Sequence, residues 1–476
     1  MSQRPASYTD PATIAALQAL LPDDFKVLFC FFANGGWDSH NMFVPGAGNS
    51  NLGFYENARP TGVRIEAAEK LPLSNTTWAL HPALDHFRDR WNANQLAILQ
   101  DVGTLNEPTT AAQYLDINTA SRFRPLSIGA HDVQQRLWQN GLQHNPPART
   151  TGWFGRAMDL LDATWNTPQP GKENSLLMSL ISRAGNNLQN RPYPPKGTVA
   201  LPMSSRPAPA SYGTTPTGAN GVAGQIRQVF TEAEGAGLPA DPDHNLMRAT
   251  WKYVLAEGLA APGFVNAELV ALPGNVNAAL GDAAGLRPAV QAIHTAVENA
   301  ALGIRRMVVY VNAPGGWDHH ASLRPNQDPL LAIFNGQITA LTNAIDLLGL
   351  RDQVTFFAET EFGRTFRSNN NQGTDHGWSG HSFIWGNAVL GGLYGATPDY
   401  SPTGPQAING GNSFVPTTST EQYYATLLRW FGIPAALIPM ILPASAVPRA
   451  VVGTGAQAYT PVAFSPQNLD FLPAVN

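Results

Sequence analysis

The chain has 476 residues, of which 13% are charged, and its formal net charge is −5 at pH 7. That length is enough for one large domain or two ordinary ones with substantial buried cores. No basic run or basic excess points to a nucleic-acid partner, and no apolar stretch reaches the about 18 residues that suggest a membrane-spanning helix.

Five apolar segments rich in aromatic or β-branched residues predict buried β-strands. In chain order they are residues 26–32, 95–100, 306–312, 353–358 and 382–385. Continuous apolar runs of this length are typical of strands that are buried on both faces of a mostly parallel sheet.

Four segments with apolar residues at helical spacing fall between or after these strands, at 82–92, 288–301, 330–348 and 421–431. The alternation of strands and helices predicts an α/β fold with helices on both faces of the sheet. Residues 183–245 begin with a stretch rich in Pro, Gly, Ser, Thr and Asn, which predicts an irregular insertion, either a cap over a site or a surface loop. An irregular C-terminal tail is predicted for 444–476.

The string Gly-Gly-Trp-Asp-x-His occurs twice, at 35–40 and at 315–320, each time directly after a predicted buried strand. Loops at the carboxyl ends of such strands form the ligand crevice of open α/β sheets. An Asp and a His two residues apart in an extended loop can both face one metal ion, and carboxylate with imidazole suits zinc, manganese or iron. One copy alone would favour the alternative, an Asp that caps a turn beside an ordinary His, whereas two copies at equivalent points, followed by further Asp and His residues, favour a metal site.

Further candidate residues follow the strand predicted at 353–358. Glu359, Glu361 and Arg364 come first, and the string Thr-Asp-His-Gly then supplies Asp375 and His376. An arginine beside a metal cluster can bind a phosphate or sulfate oxygen through two N–H groups. The equally weighted alternative is a structural salt bridge from Arg364 to Glu359 or Glu361.

These strings in combination resemble the bacterial proteins of domain-of-unknown-function family 1501, in the alkaline phosphatase-like superfamily. The resemblance also rests on three further strings, which are Val102–Thr110, His131–Gln135 with Trp138, and Thr151–Trp153. It implies one alkaline phosphatase-like domain over residues 1–476: a three-layer sandwich with a central, mostly parallel sheet and a site at the strand ends.

The same resemblance implies a metal-dependent hydrolase of phosphate or sulfate esters with one or two ions. It assigns the first ion to Asp318, His320 and His376. It assigns a second ion to Asp38 and Glu361, with Phe362 where a histidine is expected and with Asp375, His40 or His381 as substitutes.

The superfamily places its nucleophile near a helix N-terminus, where backbone N–H groups favour a developing anion. Glu107–Ala112 has the pattern of a helix start, so Thr109 is the predicted nucleophile and Thr110 the second choice. The alternative is that both threonines only cap that helix. Arg364 is the second predicted catalytic residue.

The implied cofactor is a divalent metal, with zinc preferred and manganese, iron or calcium as alternatives. The implied substrate is a small-molecule or glycan ester. Two other functions stay open: a metal-binding protein that is not a hydrolase, and an extracellular structural or carbohydrate-associated protein whose loops bind calcium or nothing. Family members are commonly exported, whereas residues 1–21 lack the pattern of a signal peptide. Oligomeric state and compartment are not predicted.

Overall fold

A computed structural model describes residues 24–118, 120–141, 152–162, 179–181, 200–202, 269–443, 460–466 and 468–473. The strands in this part of the chain are β1 Lys26–Phe32, β2 Phe43–Pro45, β3 Leu71–Pro72, β4 Trp78–Leu80, β5 Leu96–Gly103, β6 Ser179–Ile181, β7 Ala200–Pro202, β8 Arg306–Asn312, β9 Val354–Glu359, β10 Gly380–Trp385, β11 Gly392–Tyr394, β12 Ala407–Ile408, β13 Ser413–Phe414 and β14 Thr418–Ser419.

The α-helices in the same residues are α1 Leu52–Ala58, α2 Asp85–Asn92, α3 Ala111–Leu115, α4 Ala120–Phe123, α5 His131–Asn140, α6 Trp153–Asp162, α7 Gly274–Leu280, α8 Arg287–Glu298, α9 Leu323–Leu347, α10 Thr420–Trp430 and α11 Ile438–Ile441. Short 3-10 helices occupy Ser39–Asn41, Gly281–Leu286, Ala300–Leu302 and Ala435–Leu437. None of these helices has both the length and the apolar character to span a bilayer.

The central sheet has nine strands in the described residues, in the order β11-β5-β10-β9-β1-β8-β6-β7, with β14 also paired to β5. All its pairings are parallel except those of β10 with β5 and β9. The predicted α/β class and the mostly parallel sheet are therefore confirmed. A separate small sheet, β2-β4-β3, was not predicted from the sequence.

Alternate residues of β1 serve two different hydrophobic clusters, because successive side chains of a strand point to opposite faces. Val27, Phe29 and Phe31 belong to a cluster with α2, α7, α8 and α9. Leu28 and Cys30 belong to a second cluster with α5, α6, α10 and α11. The sheet therefore carries an apolar core on each face.

The five strands and four helices predicted from the sequence are present, with boundary differences of a few residues except at one helix. Helix α9 begins at Leu323, seven positions before the predicted start and ahead of Pro329. Two features stabilise this first part of the helix. Leu323 is buried, and the Gln327 side-chain amide both accepts from the Asp38 backbone N–H and donates to the Asp38 carbonyl, each at 3.0 Å.

Most of the predicted insertion 183–245 lies outside the described residues. The exception is β7, which forms an edge of the central sheet next to β6. In the predicted tail, residues 460–466 and 468–473 contain neither helix nor strand, and residues 444–459 lie outside the described part.

Candidate metal centre

The site lies where three neighbouring parallel strands end side by side. In the register of the sheet, Phe32 of β1 is flanked by Asn312 of β8 and Glu359 of β9. The first Gly-Gly-Trp-Asp string therefore leaves the sheet between the second one on one side and the segment with Glu361 and Arg364 on the other. This is the carboxyl edge at which the sequence predicted a ligand crevice.

The two Gly-Gly-Trp-Asp loops pack directly on each other. Gly35 has a φ of +116°, and a Cβ placed there would lie 2.6 Å from the Asp318 backbone nitrogen. The Trp317 amide donates to the Asn34 carbonyl at 3.0 Å, and the indole rings of Trp37 and Trp317 meet edge to face at 5.8 Å. Only glycine at position 35 combines that backbone conformation with so close an approach.

Asp318, His320 and His376 form a compact group. The Asp318 Oδ1 atom lies 3.0 Å from His320 Nε2 and 3.1 Å from His376 Nε2. The two Nε2 atoms are 3.0 Å apart. The resemblance implied that these three residues hold one ion, and the fold brings them together from the segments that follow β8 and β9.

His131 joins this group from the first turn of α5. Its Nε2 atom lies 3.4 Å from Asp318 Oδ2, on the other oxygen of the same carboxylate. One ligand atom from each of His131, Asp318 and His376 falls within 4.8 Å of the others. The sequence offered His131 as a candidate through the string Gly-Ala-His-Asp at 129–132, and His131–Gln135 is one of the strings that carry the resemblance, but His131 was left out of the predicted metal set.

Each of the three imidazoles bonds a different acceptor through Nδ1, on the side away from the group. His131 Nδ1 lies 2.8 Å from Glu361 Oε1, and His320 Nδ1 lies 2.9 Å from Asp375 Oδ1. His376 Nδ1 lies 2.7 Å from the Gly129 carbonyl oxygen. An acceptor at Nδ1 favours the tautomer that carries its proton there, which leaves the Nε2 lone pair free for a metal.

Glu361 is fully buried, and its Oε1 atom accepts from several donors. Besides His131, these donors are the Gly35 amide at 2.8 Å and the Gln135 side chain at 3.3 Å. The Thr360 hydroxyl donates to Oε2 at 3.3 Å. The geometry therefore places Glu361 behind His131, as Asp375 lies behind His320, and not among the atoms that face the common point.

Phe362 is buried and lies against two of the imidazoles. Its ring centroid is 4.8 Å from that of His131 and 4.5 Å from that of His376. A Cβ on Gly36 would come within 2.6 Å of the same ring, so this glycine leaves the space that Phe362 fills. The position where the resemblance implied a second metal-binding histidine is thus an apolar wall of the group.

Arg364 is buried, and its N–H groups point to backbone carbonyl oxygens of the surrounding loops. It donates to the carbonyl oxygens of Gly36 at 2.6 Å, Thr374 at 3.1 Å and Trp317 at 3.2 Å, and also to Gly35. Its ion pair is with Asp318, so the alternative of a salt bridge to Glu359 or Glu361 was wrong. Because these groups occupy its guanidinium, this geometry does not support the predicted role of Arg364 as an anion clamp.

The first copy of the string is organised differently. Asp38 is fully buried, and its two carboxylate oxygens accept from Arg59 at 2.7 and 3.0 Å. His40 is also buried, and neither of its ring nitrogens has a hydrogen-bond partner among the described residues. Its ring lies among those of Phe366, Tyr400, Phe414 and His381. The fold therefore does not bring Asp38 or His40 to the group around Asp318.

Thr109 and Thr110 precede α3. The Thr110 side chain forms a capping box with Gln113, as the structural alternative expected. The Thr109 hydroxyl donates to the Glu107 carbonyl at 2.7 Å. Within the described residues, no hydrogen bond connects Thr109 to the histidines or to Asp318.

The electrostatics of the group follow from its contacts. Burial alone would raise the pKa of Asp318, but Arg364, His376 and His320 together lower it to about 2. The hydrogen bond to Glu361 raises the pKa of His131 above its ordinary value. Asp318 is therefore a carboxylate throughout the neutral range.

Residues 270–412 match the family model described as protein of unknown function (DUF1501). That segment contains Asp318, His320, Glu361, Asp375 and His376, so the resemblance seen in the sequence is confirmed where most of the site lies. No curated protein matches the chain.

Solved structures similar to this chain include the PsFucS1 sulfatase from Pseudoalteromonas sp., at 13% identity over 82% of this chain and 68% of that one, with a TM-score of 0.29. Another is Ps i-CgsB in complex with k-i-k-neocarrahexaose, at 11% identity over 87% and 72%, with a TM-score of 0.29. A third, from a Bacteroides thetaiotaomicron study of glycosaminoglycan metabolism, has 11% identity over 88% and 74% and a TM-score of 0.33.

Proposed function

We propose that this chain is a metal-dependent hydrolase of phosphate or sulfate esters whose ion is held by His131, Asp318, His320 and His376. The observation that carries the proposal is the convergence of three Nε2 atoms on one carboxylate, while every Nδ1 atom bonds an acceptor on the far side. Three imidazoles and a carboxylate suit zinc, iron or manganese. Calcium, which prefers oxygen ligands, suits this set less well.

The other polar residues of the site have positioning roles in this proposal. Glu361 and Asp375 orient His131 and His320 through Nδ1 and are not themselves ligands. Arg364 holds the Asp318 carboxylate and ties it to the backbone of the neighbouring loop. A bound divalent ion supplies a Lewis acid that polarises an ester oxygen.

The proposal favours one ion over two. Asp38, predicted to hold a second ion, already bonds Arg59 with both oxygens, and Glu361 bonds His131 and Gly35. Phe362 supplies no ligand atom. Attack on the ester by Thr109 stays a prediction, since it requires the Thr109 hydroxyl to leave the Glu107 carbonyl.

We also infer an alkaline phosphatase-like three-layer sandwich formed as one domain, and the apolar clusters on both faces of the sheet support this inference. A small-molecule or glycan ester as substrate and an exported location likewise stay proposals.

A metal-binding protein without hydrolase activity is the second candidate. Two observations favour it. Phe362 stands where a histidine for a second ion was expected, and the ion pair with Arg59 occupies the Asp38 carboxylate. This candidate shares the same ligands and differs only in turnover.

The test combines metal counting with ester hydrolysis. Purified protein is analysed for bound metal and assayed on p-nitrophenyl phosphate, bis-p-nitrophenyl phosphate and p-nitrophenyl sulfate. The matched pair is His320→Ala and His319→Ala, because only the His320 ring contacts Asp318 and His376. We expect one ion per chain and turnover of at least one ester, both lost in His320→Ala and kept in His319→Ala.

Each outcome separates the two candidates. One ion per chain without turnover of any ester supports the metal-binding protein and rejects the hydrolase. A preparation that takes up no zinc, manganese or iron rejects both. Equal metal loss in His319→Ala and His320→Ala rejects the assignment of His320 as a ligand.

A further inference from the structure

Two side-chain amides lie beside the metal centre without belonging to its ligand set. Asn34 follows β1, and its backbone carbonyl accepts from the Trp317 amide at 3.0 Å, so it borders the loop that carries Asp318. Gln135 lies four positions after His131 on α5, and residues at this spacing share one face of a helix. Asn34 is exposed and Gln135 is partly exposed, so a ligand at the centre can reach both.

The buried Glu361 carboxylate fixes the orientation of both amides. A carboxylate accepts hydrogen bonds and does not donate them, so the Gln135 atom that lies 3.3 Å from Glu361 Oε1 is the Nε2 donor. The same Nε2 atom donates to Asn34 Oδ1 at 2.7 Å, so Asn34 presents its oxygen to Gln135. This arrangement leaves Asn34 Nδ2 and Gln135 Oε1 unused, because neither atom has a hydrogen-bond partner among the described residues.

The two unused atoms are one neutral donor and one neutral acceptor, on amides that are joined by a 2.7 Å bond. A hydroxyl group carries a donor and an acceptor on a single oxygen, so one hydroxyl can bond both amides. A carbonyl oxygen can use only the donor, and an ammonium group only the acceptor. The pair of amides therefore matches a hydroxyl group better than it matches either of these.

We propose that Asn34 and Gln135 select the alcohol part of the substrate by binding one of its hydroxyl groups. This inference rests on the proposed hydrolase function and narrows its substrates to phosphate or sulfate esters of polyhydroxy alcohols. The phosphate or sulfate group faces the histidines, and the alcohol part reaches the amides beside His131 and the Asp318 loop. Asn34 is thus a specificity-determining residue that does not touch the ion.

The test compares esters that differ only in their hydroxyl groups. One pair is glycerol 2-phosphate and isopropyl phosphate, and the other is 2-hydroxyethyl sulfate and ethyl sulfate. Binding to the full, zinc-supplied chain is measured by saturation-transfer NMR titration, and kcat/KM is measured from released phosphate or sulfate. We expect the hydroxylated member of at least one pair to be favoured about fivefold, which is the usual net effect of one hydrogen bond.

Three variants locate the preference. Asn34→Leu has a side chain of similar shape without the donor, so the preference should fall below about twofold. Asn34→Asp keeps an acceptor for Gln135 and also lacks the donor, so it should lose the preference as well. Asn343→Leu is the matched control and should keep the preference, because Asn343 is exposed near the end of α9 that leads to the amino end of β9.

The metal content of the two position-34 variants is a further readout. Both should keep their ion, since Glu361 still bonds His131 and the Gly35 amide. Loss of metal in Asn34→Leu would give Asn34 a role in the centre itself and overturn its assignment to the alcohol part.

Three other results would overturn the inference. Equal binding and equal kcat/KM within both pairs would show that no hydroxyl group is recognised. A preference that survives in both position-34 variants would place the recognition elsewhere. A preference lost equally in Asn343→Leu would show that the loss is not specific to this site. Hydroxyl-dependent binding without turnover of any ester would support the amide site and reject only the hydrolase proposal, so the two failures are distinct.

Discussion

The first and second Gly-Gly-Trp-Asp loops share a sequence and a place after neighbouring parallel strands, yet their Asp and His side chains have opposite surroundings. Asp38 and His40 are fully enclosed, one by an arginine and the other by aromatic rings. Asp318 and His320 are half exposed and face two other histidines. The string fixes a glycine-rich turn and a packed tryptophan. What the Asp does depends on residues elsewhere in the chain.

The arginines show where the difference arises. Arg59 makes a two-point ion pair with Asp38 and also bonds two backbone carbonyls, so that the carboxylate has no free oxygen. Arg364 reaches Asp318 Oδ1 only, and His131 lies beside Oδ2. Arg59 thus completes a buried structural ion pair, whereas Arg364 holds the Asp318 carboxylate in place and leaves it accessible to a metal ion.

The largest expected effect is at Asp318. Asp318→Ala removes the carboxylate on which three imidazoles converge, so we expect a loss of metal affinity greater than the about 10–100-fold that follows when only a residue hydrogen-bonded to a ligand is changed. The substitution removes the ion-pair partner of the buried Arg364, but that guanidinium keeps its bonds to four backbone carbonyls, so we expect a loss of stability and a fold that survives. Elemental analysis with circular dichroism checks both points, and retention of metal would show that the centre is elsewhere.

Asp38→Ala should do the reverse. It leaves Arg59 charged and buried without its carboxylate, which costs about 3–5 kcal/mol of unfolding free energy. Metal content should stay unchanged. Chemical denaturation measures the cost, with Asp89→Ala as the control, because the exposed Arg88–Asp89 pair contributes at most about 1 kcal/mol. A metal count that falls in Asp38→Ala at full stability would restore Asp38 as a ligand.

A smaller effect is expected at Glu361. Glu361→Gln removes the charge that holds His131 through Nδ1, and changing a residue that orients a metal-binding histidine weakens metal affinity by about 10–100-fold. Competition with a chromophoric chelator gives the affinity. Glu359→Gln is the control, because Glu359 is buried two positions earlier and bears no contact to the histidines of the centre. If Glu361→Gln loses as much affinity as Asp318→Ala, Glu361 is itself a ligand.

The last expected effect concerns acid stability at the first copy. Burial and then the charge of Arg59 lower the pKa of His40 from 6.5 to about 3. The unfolded chain therefore binds a proton at His40 that the folded chain does not, and this stability is lost as pH falls below about 6.5. The expected slope is about 1.4 kcal/mol per pH unit.

His40→Phe should remove that slope, since a phenyl ring suits the surrounding aromatic rings and does not titrate. Denaturation of chelator-treated protein at pH 6 and at pH 4 compares the two chains. Parallel losses of stability in both would show that His40 does not contribute to the acid sensitivity.

Much of the fold could be read from the sequence because its central strands are continuous apolar runs. β1 and β8 match the predicted bounds, and β9 differs by one position. The reversed direction of β10 and the small sheet of β2, β3 and β4 were not predicted. Apolar runs indicate burial but not strand direction, and the strands of the small sheet are too short to give a pattern.

The site was predicted in part for a similar reason. The local strings correctly indicated that Asp318, His320 and His376 lie near one another, because neighbouring parallel strands end at the same edge of the sheet. They did not show that Arg59, in an unmarked segment, neutralises Asp38, nor that His131 faces Asp318. Which imidazole nitrogen faces the centre is set by Glu361, Asp375 and the Gly129 carbonyl, and these contacts exist only in the folded chain.

The close approach of Gly35 to the Asp318 amide limits which substitutions the two loops can accept together. Any side chain at position 35 must displace the backbone that carries Asp318, so the first loop acts as a steric template for the second. Substitutions at the two positions should then combine non-additively, as residues in contact generally do. A laboratory library that varies the second loop alone would therefore explore only the sequences that the first loop permits.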